Sequence, residues 1–597
     1  MNIKKVKGEL KKLSHHHLGL AIGINLFFLI MILVFCEVKY EVSDDFVMAS
    51  ILSGAYGGEL NPHMIFINVL WGYFLMPLYR IFPGISWYLI GQLFLCFLSF
   101  TAVTYMLLER LEIWMALVLS VVFITSFSND AYILVQFTKT ASLAVMSGSL
   151  LFLWGVFHLR DKQRRKIVIS GGFLVLAGSL IRYNSIYIAG GFILGIVIIE
   201  FVRMFLKQRK EIFGKGIKIA AIGMILIFAV QSGRWIDKAI YNSDKEYNYF
   251  KEYNAARANI VDWPDYGYWM GELEYKEMGL SEQDYFMMRT WNFADNKVFN
   301  LGVLESAGEK LKEIHSEVSI SITSKVEEIK SRGYLLYPVV WACIILLVLS
   351  IVLNKTIWWT SLAACCVGGM YLVYFFVSGR VVYRVEYAVF SCVFLAIIYF
   401  FEKEGCKDLC YKQEVRQACA ILVVLCMGLQ ILLDLPNHSI QSMSGKEYEE
   451  YVEDMFYKSW DYDSRRYGAK AYKKDGYKEL NEEMRSDSEK FYFMDFNTTI
   501  QTLYFQYSPW KTLPKQYYKN KVYMTGITSG YPEVVKILEK NDISNPMESL
   551  VEKDVYVIDN LYIDAKLEYI KKHYYPNARV VLYKEIDGYK IWKFYKE

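Results

Sequence analysis

Ser43, Asp44 and Asp45 set two carboxylates side by side, the first of them eight residues beyond the apolar run Leu18–Cys36. A carboxylate that close to hydrocarbon is costly unless it meets a cation, a metal or a polar substrate, so the pair reads as functional. Further ionisable groups fall at the ends of later apolar runs: Asp130, Lys139, Arg182, Arg380, Arg384 and Glu386. Cations at headgroup level suit a phosphate, and Arg suits it best because its fork is bidentate. A carboxylate facing them could deprotonate an acceptor hydroxyl as general base. It could also steady the oxocarbenium-like state of substitution at a sugar carbon. Adjacent aspartates could hold Mg²⁺ or Mn²⁺. No third ligand is evident, so no metal-ligand set is assigned and a divalent cation stays open.

Each group also has an ordinary reading. Ser43 or Asp44 could N-cap the stretch 45–53, but two adjacent acids exceed what a cap needs. Arg380 and Arg384, four apart on one helical face with Glu386 turned away, could form a phosphate clamp or snorkel to headgroups. Lys139 and Arg182 could be single interfacial cations, and His63 could close a polar turn. Asn254, Arg257 and Asp262 read as an exposed, solvated face, and Asp495 and Asp559 as turn formers.

The elements that must position these residues are membrane spans. Of 597 residues 54% are hydrophobic, and the charges gather between apolar runs of helix-spanning length. Candidate spans are 18–36, 86–107, 113–128, 141–159, 167–183, 186–205, 217–235, 335–354, 357–377, 384–401 and 417–434. A net charge of +4 gives no footprint for a nucleic-acid partner. The ten cysteines avoid the polar regions 237–334 and 435–597, so no disulfide framework is on offer. Cys406 and Cys410 lack the companions of a zinc site.

Arg160–Lys166 and Lys207–Lys218 each carry five Lys/Arg and one acid. The positive-inside rule places both in the cytoplasm, together with the lysine-rich N-terminus, an uncleaved signal anchor. A crossing at Met64–Phe82 would invert Arg160–Lys166. That run is therefore predicted to be a re-entrant or juxtamembrane helix on the outer face, bent at Pro77. Eleven spans follow, with loops 37–85 and 237–334 and the C-terminus outside. The tail 435–597 reads as a small extracytoplasmic α/β domain. Its strands are Lys490–Asp495, Asp554–Asp559, Arg579–Tyr583 and Tyr589–Phe594, and its helices Pro532–Lys540 and Ala565–Tyr574. Lys446–Glu489 reads as a charged, Tyr-rich helical link.

This layout resembles the GT-C-type glycosyltransferases, the multi-span enzymes that use polyprenyl-phosphate sugars, among them protein O-mannosyltransferases and lipid A aminoarabinose transferases. The likeness covers most of the chain: an acidic first outer loop, a juxtamembrane helix, many spans and an outward C-terminal domain. It implies that Asp44 or Asp45 is catalytic, that Asn61-Pro62-His63 stands for a His-Pro-Pro element, and that Asp130 is the second-loop acid. Here the first pair is Asp-Asp rather than the common Asp-Glu. Trp263-Pro264-Asp265-Tyr266-Gly267 has only a chance likeness to an oligosaccharyltransferase motif.

The expectation is a transferase at the outer membrane face, moving a sugar from a polyprenyl-phosphate donor to a glycan, lipid or protein acceptor. Asp44 and Asp45 are its catalytic candidates, and His63, Asp130, Lys139, Arg182, Arg380 and Arg384 its substrate-binding ones. A transporter or flippase of a lipid-linked sugar would instead need midplane charges and two related halves. A non-catalytic envelope assembly protein would carry its work in the tail.

Overall fold

A computed structural model describes residues 17–36, 38–158, 161–207, 212–318, 321–353, 358–379, 381–401, 477–500 and 507–596. Ten helices follow ten of the predicted spans: His17–Phe35, Trp87–Arg110, Ile113–Tyr132, Phe137–His158, Asp161–Ile181, Ser185–Lys207, Ile212–Ser243, Pro338–Leu353, Trp358–Val377 and Tyr383–Tyr399. Seven helices among the described residues are long and apolar enough to cross a membrane. The chain is a multi-pass helical membrane protein with a C-terminal sheet region. The eleventh predicted span, the Cys406/Cys410 loop, Arg380 and the link 446–476 lie outside the described residues.

Phe137–His158 is the axis of the bundle, buried from Phe137 to Val156. It packs on Asp161–Ile181 through small residues, as close helix contacts in lipid require. A Cβ at Gly171 would lie 2.5 Å from the Phe152 nitrogen, so only glycine permits the approach. The apolar run after the acidic pair forms the helix Val69–Ile81, with Pro77 inside it. Thirteen residues reach about 20 Å, short of the roughly 30 Å hydrocarbon core, so this helix does not cross. Asn68 caps it, and Asp237 accepts from the Val69 N–H at 3.0 Å.

At the same end of the bundle, β1 (Lys39–Tyr40) pairs in parallel with β2 (Leu134–Val135). The pairing ties the loop after the first span to the turn before Phe137, and it sets two acids around one lysine. Lys139 Nζ lies 2.5 Å from Glu41 Oε2 and 2.8 Å from Asp130 Oδ1, with only 1% of its side chain exposed. The Tyr383 hydroxyl donates to Asp130 Oδ2 at 2.7 Å, drawing in a third helix.

The polar segments that follow Ile212–Ser243 and precede the C-terminus share one hydrophobic core. Helices Lys245–Val261 and Leu301–Glu317 pack beside a five-stranded sheet ordered β4-β3-β5-β7-β6. Here β3 is Phe491–Asp495, β4 Lys521–Met524, β5 Val555–Ile558, β6 Arg579–Ile586 and β7 Tyr589–Tyr595. The first three run parallel and the last two form an antiparallel hairpin. Asp587 and Gly588 turn that hairpin with φ of 54° and 82°, the positive pair a type I′ turn needs.

Asp495 and Asp559 form turns as expected, accepting from the Thr498 N–H and from the Leu561 and Tyr562 N–H groups. They also flank the buried Lys566 at 2.6 and 2.5 Å, joining the carboxyl ends of β3 and β5 to the helix Ile563–His573. Asp284 staples the loop to that same helix, with His573 Nε2 at 2.7 Å and Lys572 Nζ at 2.6 Å. Burial pushes the Asp284 carboxyl up, but hydrogen bonds from His573, Lys572 and Ser281 outweigh it and bring it down to about 2.

Two stability outcomes follow. Lys139→Met leaves Glu41 and Asp130 buried without their cation and should cost about 3–5 kcal/mol. Thermal unfolding of the purified protein in detergent measures it, and unchanged melting would show that the triad clasps nothing. Asp284→Asn should cost about 2 kcal/mol at neutral pH. A carboxyl lowered on folding stabilises above its ordinary value of 3.8 and loses that contribution as pH falls toward 2. The deficit should therefore shrink below about pH 4. A deficit that is constant from pH 7 to pH 3 would remove the staple's ionic character.

Candidate functional site

The acidic helix Ser43–Ser53 starts at Val42, whose extended backbone enters the first turn without a side-chain capping bond. Ser43, Asp44 and Asp45 all lie inside that turn, where the helix dipole favours negative charge. The capping reading is not what the structure adopts. Gly54, at φ of 85°, ends the helix, and a Cβ there would sit 2.8 Å from the Glu59 carbonyl oxygen.

One residue of helix rotation sends the two carboxylates into different surroundings. Asp45 is fully buried, and its Oδ1 accepts from the Tyr88 hydroxyl at 2.8 Å, Gln92 Nε2 at 2.9 Å and the Phe137 N–H at 3.2 Å. Gln92 in turn accepts from Thr140 at 3.0 Å. Asp45 thus anchors the acidic helix to Trp87–Arg110 and Phe137–His158. Burial pushes its carboxyl up to about 8, against the hydrogen bonds from Gln92 and Tyr88.

Asp44 is only half-buried and looks the other way. Desolvation raises its pKa above the ordinary value, Arg384, Arg182 and Arg257 pull it back, and Asp262 adds to the rise. Arg182 follows the helix Asp161–Ile181, its guanidinium 5.1 Å from the Phe137 ring and 5.9 Å from that of Phe66. Arg384 stands in the first turn of Tyr383–Tyr399. Two residues further, Glu386 is turned to Tyr334 at 2.6 Å and to Arg332 at 3.3 Å.

Arg257 comes from the long loop. Instead of lying on a solvated face it is 2% exposed, with Nη2 and Nε bonded to Asn254 Oδ1 at 2.6 and 3.2 Å. Its guanidinium lies 5.1 Å from the Trp291 ring. Backbone just past β4 closes over it: a Cβ at Gly526 would fall 2.2 Å from Arg257 Cδ and 2.8 Å from the Phe293 ring. Trp291 stacks on Phe496, just past β3. The arginine therefore sits at the carboxyl ends of two parallel strands, the edge at which open α/β sheets bind ligands.

The other sequence candidates stand apart. Lys139 and Asp130 are engaged with Glu41 and Tyr383 in the buried triad. His63 stacks on Tyr247 at 3.9 Å, bonds Asn61 Oδ1, and has Asp244, Asp237 and Lys251 as its charged neighbours, none of them shared with Asp44. Burial lowers its pKa to about 4, so the ring is neutral at pH 7. Arg380 is outside the described residues. No group of three or more His, Cys, Asp or Glu among the described residues forms a metal cage.

Sequence reasoning passed over Glu41 and the inward face of Arg257. The second had a signal: Phe250, Tyr253, Arg257 and Ile260 fall on one helical stripe, and all four are buried. No family model matches the chain, and no curated protein matches it. Among solved structures, ArnT from Cupriavidus metallidurans bound to undecaprenyl phosphate aligns with 96% of this chain and 97% of that one, at 8% identity and a TM-score of 0.39.

Proposed function

We propose that this protein is a membrane glycosyltransferase that moves a sugar from a polyprenyl-phosphate donor to an acceptor at the outer face. The carrying observation is the division of labour within one helical turn. Asp45 is spent on structure, while Asp44 stays half-open with Arg182, Arg384 and Arg257 acting on its charge.

The outward orientation rests on the two basic loops at the opposite ends of the helices. Asp44 then lies where a lipid phosphate would lie, at the ends of spans. A carrier would need its charges near the midplane, and this cluster is not there.

In this reading Asp44 takes the proton from the acceptor nucleophile as that atom attacks the anomeric carbon. The bond from that carbon to the phosphate oxygen breaks, and the electron pair leaves with the polyprenyl phosphate. Arg182, Arg384 and Arg257 hold the departing charge, so the phosphate needs no proton. A single displacement of this kind inverts the configuration at the anomeric carbon. The raised pKa of Asp44 makes it a stronger base than a solvated carboxylate.

Glycan composition is compared by mass spectrometry in cells expressing wild type, Asp44→Asn or Asp45→Asn. Asp44→Asn should lower transfer by about 10²–10⁴-fold with unchanged melting. Asp45→Asn should lower the melting temperature first. Unchanged glycans with Asp44→Asn would sink the assignment. Undecaprenyl phosphate serves as a donor-site probe on the purified full chain. Arg257→Gln should weaken its binding about tenfold, and Gly526→Ala should do so without removing a charge. Full affinity in a folded Arg257→Gln variant would remove Arg257 from the site and leave the Asp44 assignment standing.

A further inference from the structure

The C-terminal region also touches the membrane part through segment 508–513. The Ser86 N–H donates to the Trp510 carbonyl at 3.0 Å, and the Thr512 hydroxyl donates to the Pro83 carbonyl at 2.7 Å. Ile85 and Lys511 form an antiparallel bridge between these contacts. Ser86 is also the N-cap of Trp87–Arg110, a helix long and apolar enough to cross. Residues bonded to the cap of a span are held within a residue or two of the membrane boundary. The level of segment 508–513 is thereby fixed without reference to the rest of the sheet region.

At that level the surface is apolar and aromatic. Ile81 is 64% exposed, Phe82 55%, Ile85 38% and Trp510 37%. The same strip continues along the non-crossing helix, where Tyr73 and Phe74 are also exposed. Arg80 and Lys511 are exposed beside it. Aromatic rings with flanking cations are the composition of a membrane–water interface, where the ring sits among headgroups and the cation meets lipid phosphate.

We infer that segment 508–513 is a membrane-surface anchor: Trp510 lies in the headgroup layer beside Phe82 and Ile85, and Lys511 meets the phosphates of anionic lipids. The anchor holds the sheet region at a set height over the first loop. It stands or falls independently of the glycosyltransferase reading, because it uses none of the residues assigned to transfer.

The test uses the full chain in nanodiscs of phosphatidylcholine with phosphatidylglycerol. Trp510→p-benzoylphenylalanine, Phe82→p-benzoylphenylalanine and Val581→p-benzoylphenylalanine are irradiated, and adducts are read by mass spectrometry. Val581 is exposed on β6, the strand at the far edge of the sheet. Lipid adducts should form at 510 and 82 and be at least tenfold scarcer at 581. Lys511→Gln should cut the preference of the 510 adduct for phosphatidylglycerol over phosphatidylcholine by about fivefold. Equal yields at 510 and 581, or a protein adduct at 510 in place of lipid, overturn the anchor. Should the Trp510 variant fail to fold, the Phe82 variant decides: a lipid yield there no higher than at 581 overturns it as well.

Discussion

A charge beside hydrocarbon has to be answered by a partner, and that constraint organises the domain-bearing end of this protein. Five acids and several cations crowd the ends of the helices there. Glu41 and Asp130 are answered by Lys139, Glu386 by Arg332 and Tyr334, and Asp45 by Tyr88, Gln92 and a backbone N–H. These pairings clasp five helices and a two-strand ladder into a rigid floor. Asp44, with three arginines acting on its charge, stays half-open. The chemistry proposed for it depends on the others being satisfied first, since a floor of unpaired acids would raise the negative potential and repel a phosphate.

The second dependence is between the polar regions. Arg257 belongs to the loop after Ile212–Ser243, but its slot is made by Trp291, Phe293 and the backbone at Gly526, across the carboxyl ends of β3 and β4. A methyl group at 526 would occupy the space of its Cδ, so the glycine is there for close approach and not for backbone freedom. Burying an arginine is expensive, and the Asn254 carbonyl together with the Trp291 ring offsets part of that cost.

Much of this architecture was legible because it rests on periodicity and length. Apolar runs predicted the spans, and charge parity demoted the run Met64–Phe82 from a crossing; the helix that forms there, Val69–Ile81, has only thirteen residues. Strands β3, β5, β6 and β7 were visible as β-rich runs between turn residues. β4 was not: four residues, two of them Lys521 and Tyr523, give no alternation to read. The ion triads were illegible for a different reason. Lys139 meets Glu41 from 98 positions away, and Lys566 meets Asp495 across 71, through pairings that local sequence does not encode. Arg257 was a failure of reading rather than of information, since a charged residue on an apolar helical stripe is already a buried-charge hypothesis.

The same logic explains why the acids are adjacent at all. A single aspartate at the start of the helix could anchor it or face a substrate, but not both, because anchoring buries the group, as the three bonds to Oδ1 do at Asp45. Neighbouring residues on a helix point about 100° apart, so two in succession let one carboxylate lock the turn while the other is presented at a fixed height and angle. Asp45 supplies the rigidity, with bonds to two spans, and Asp44 inherits it through one peptide unit. Spacing the pair by three or four residues would place both on one face and force them to compete for the same partners. Adjacency is the arrangement that separates the roles, and the chemistry proposed for Asp44 turns on the order of the two residues, not merely on their number.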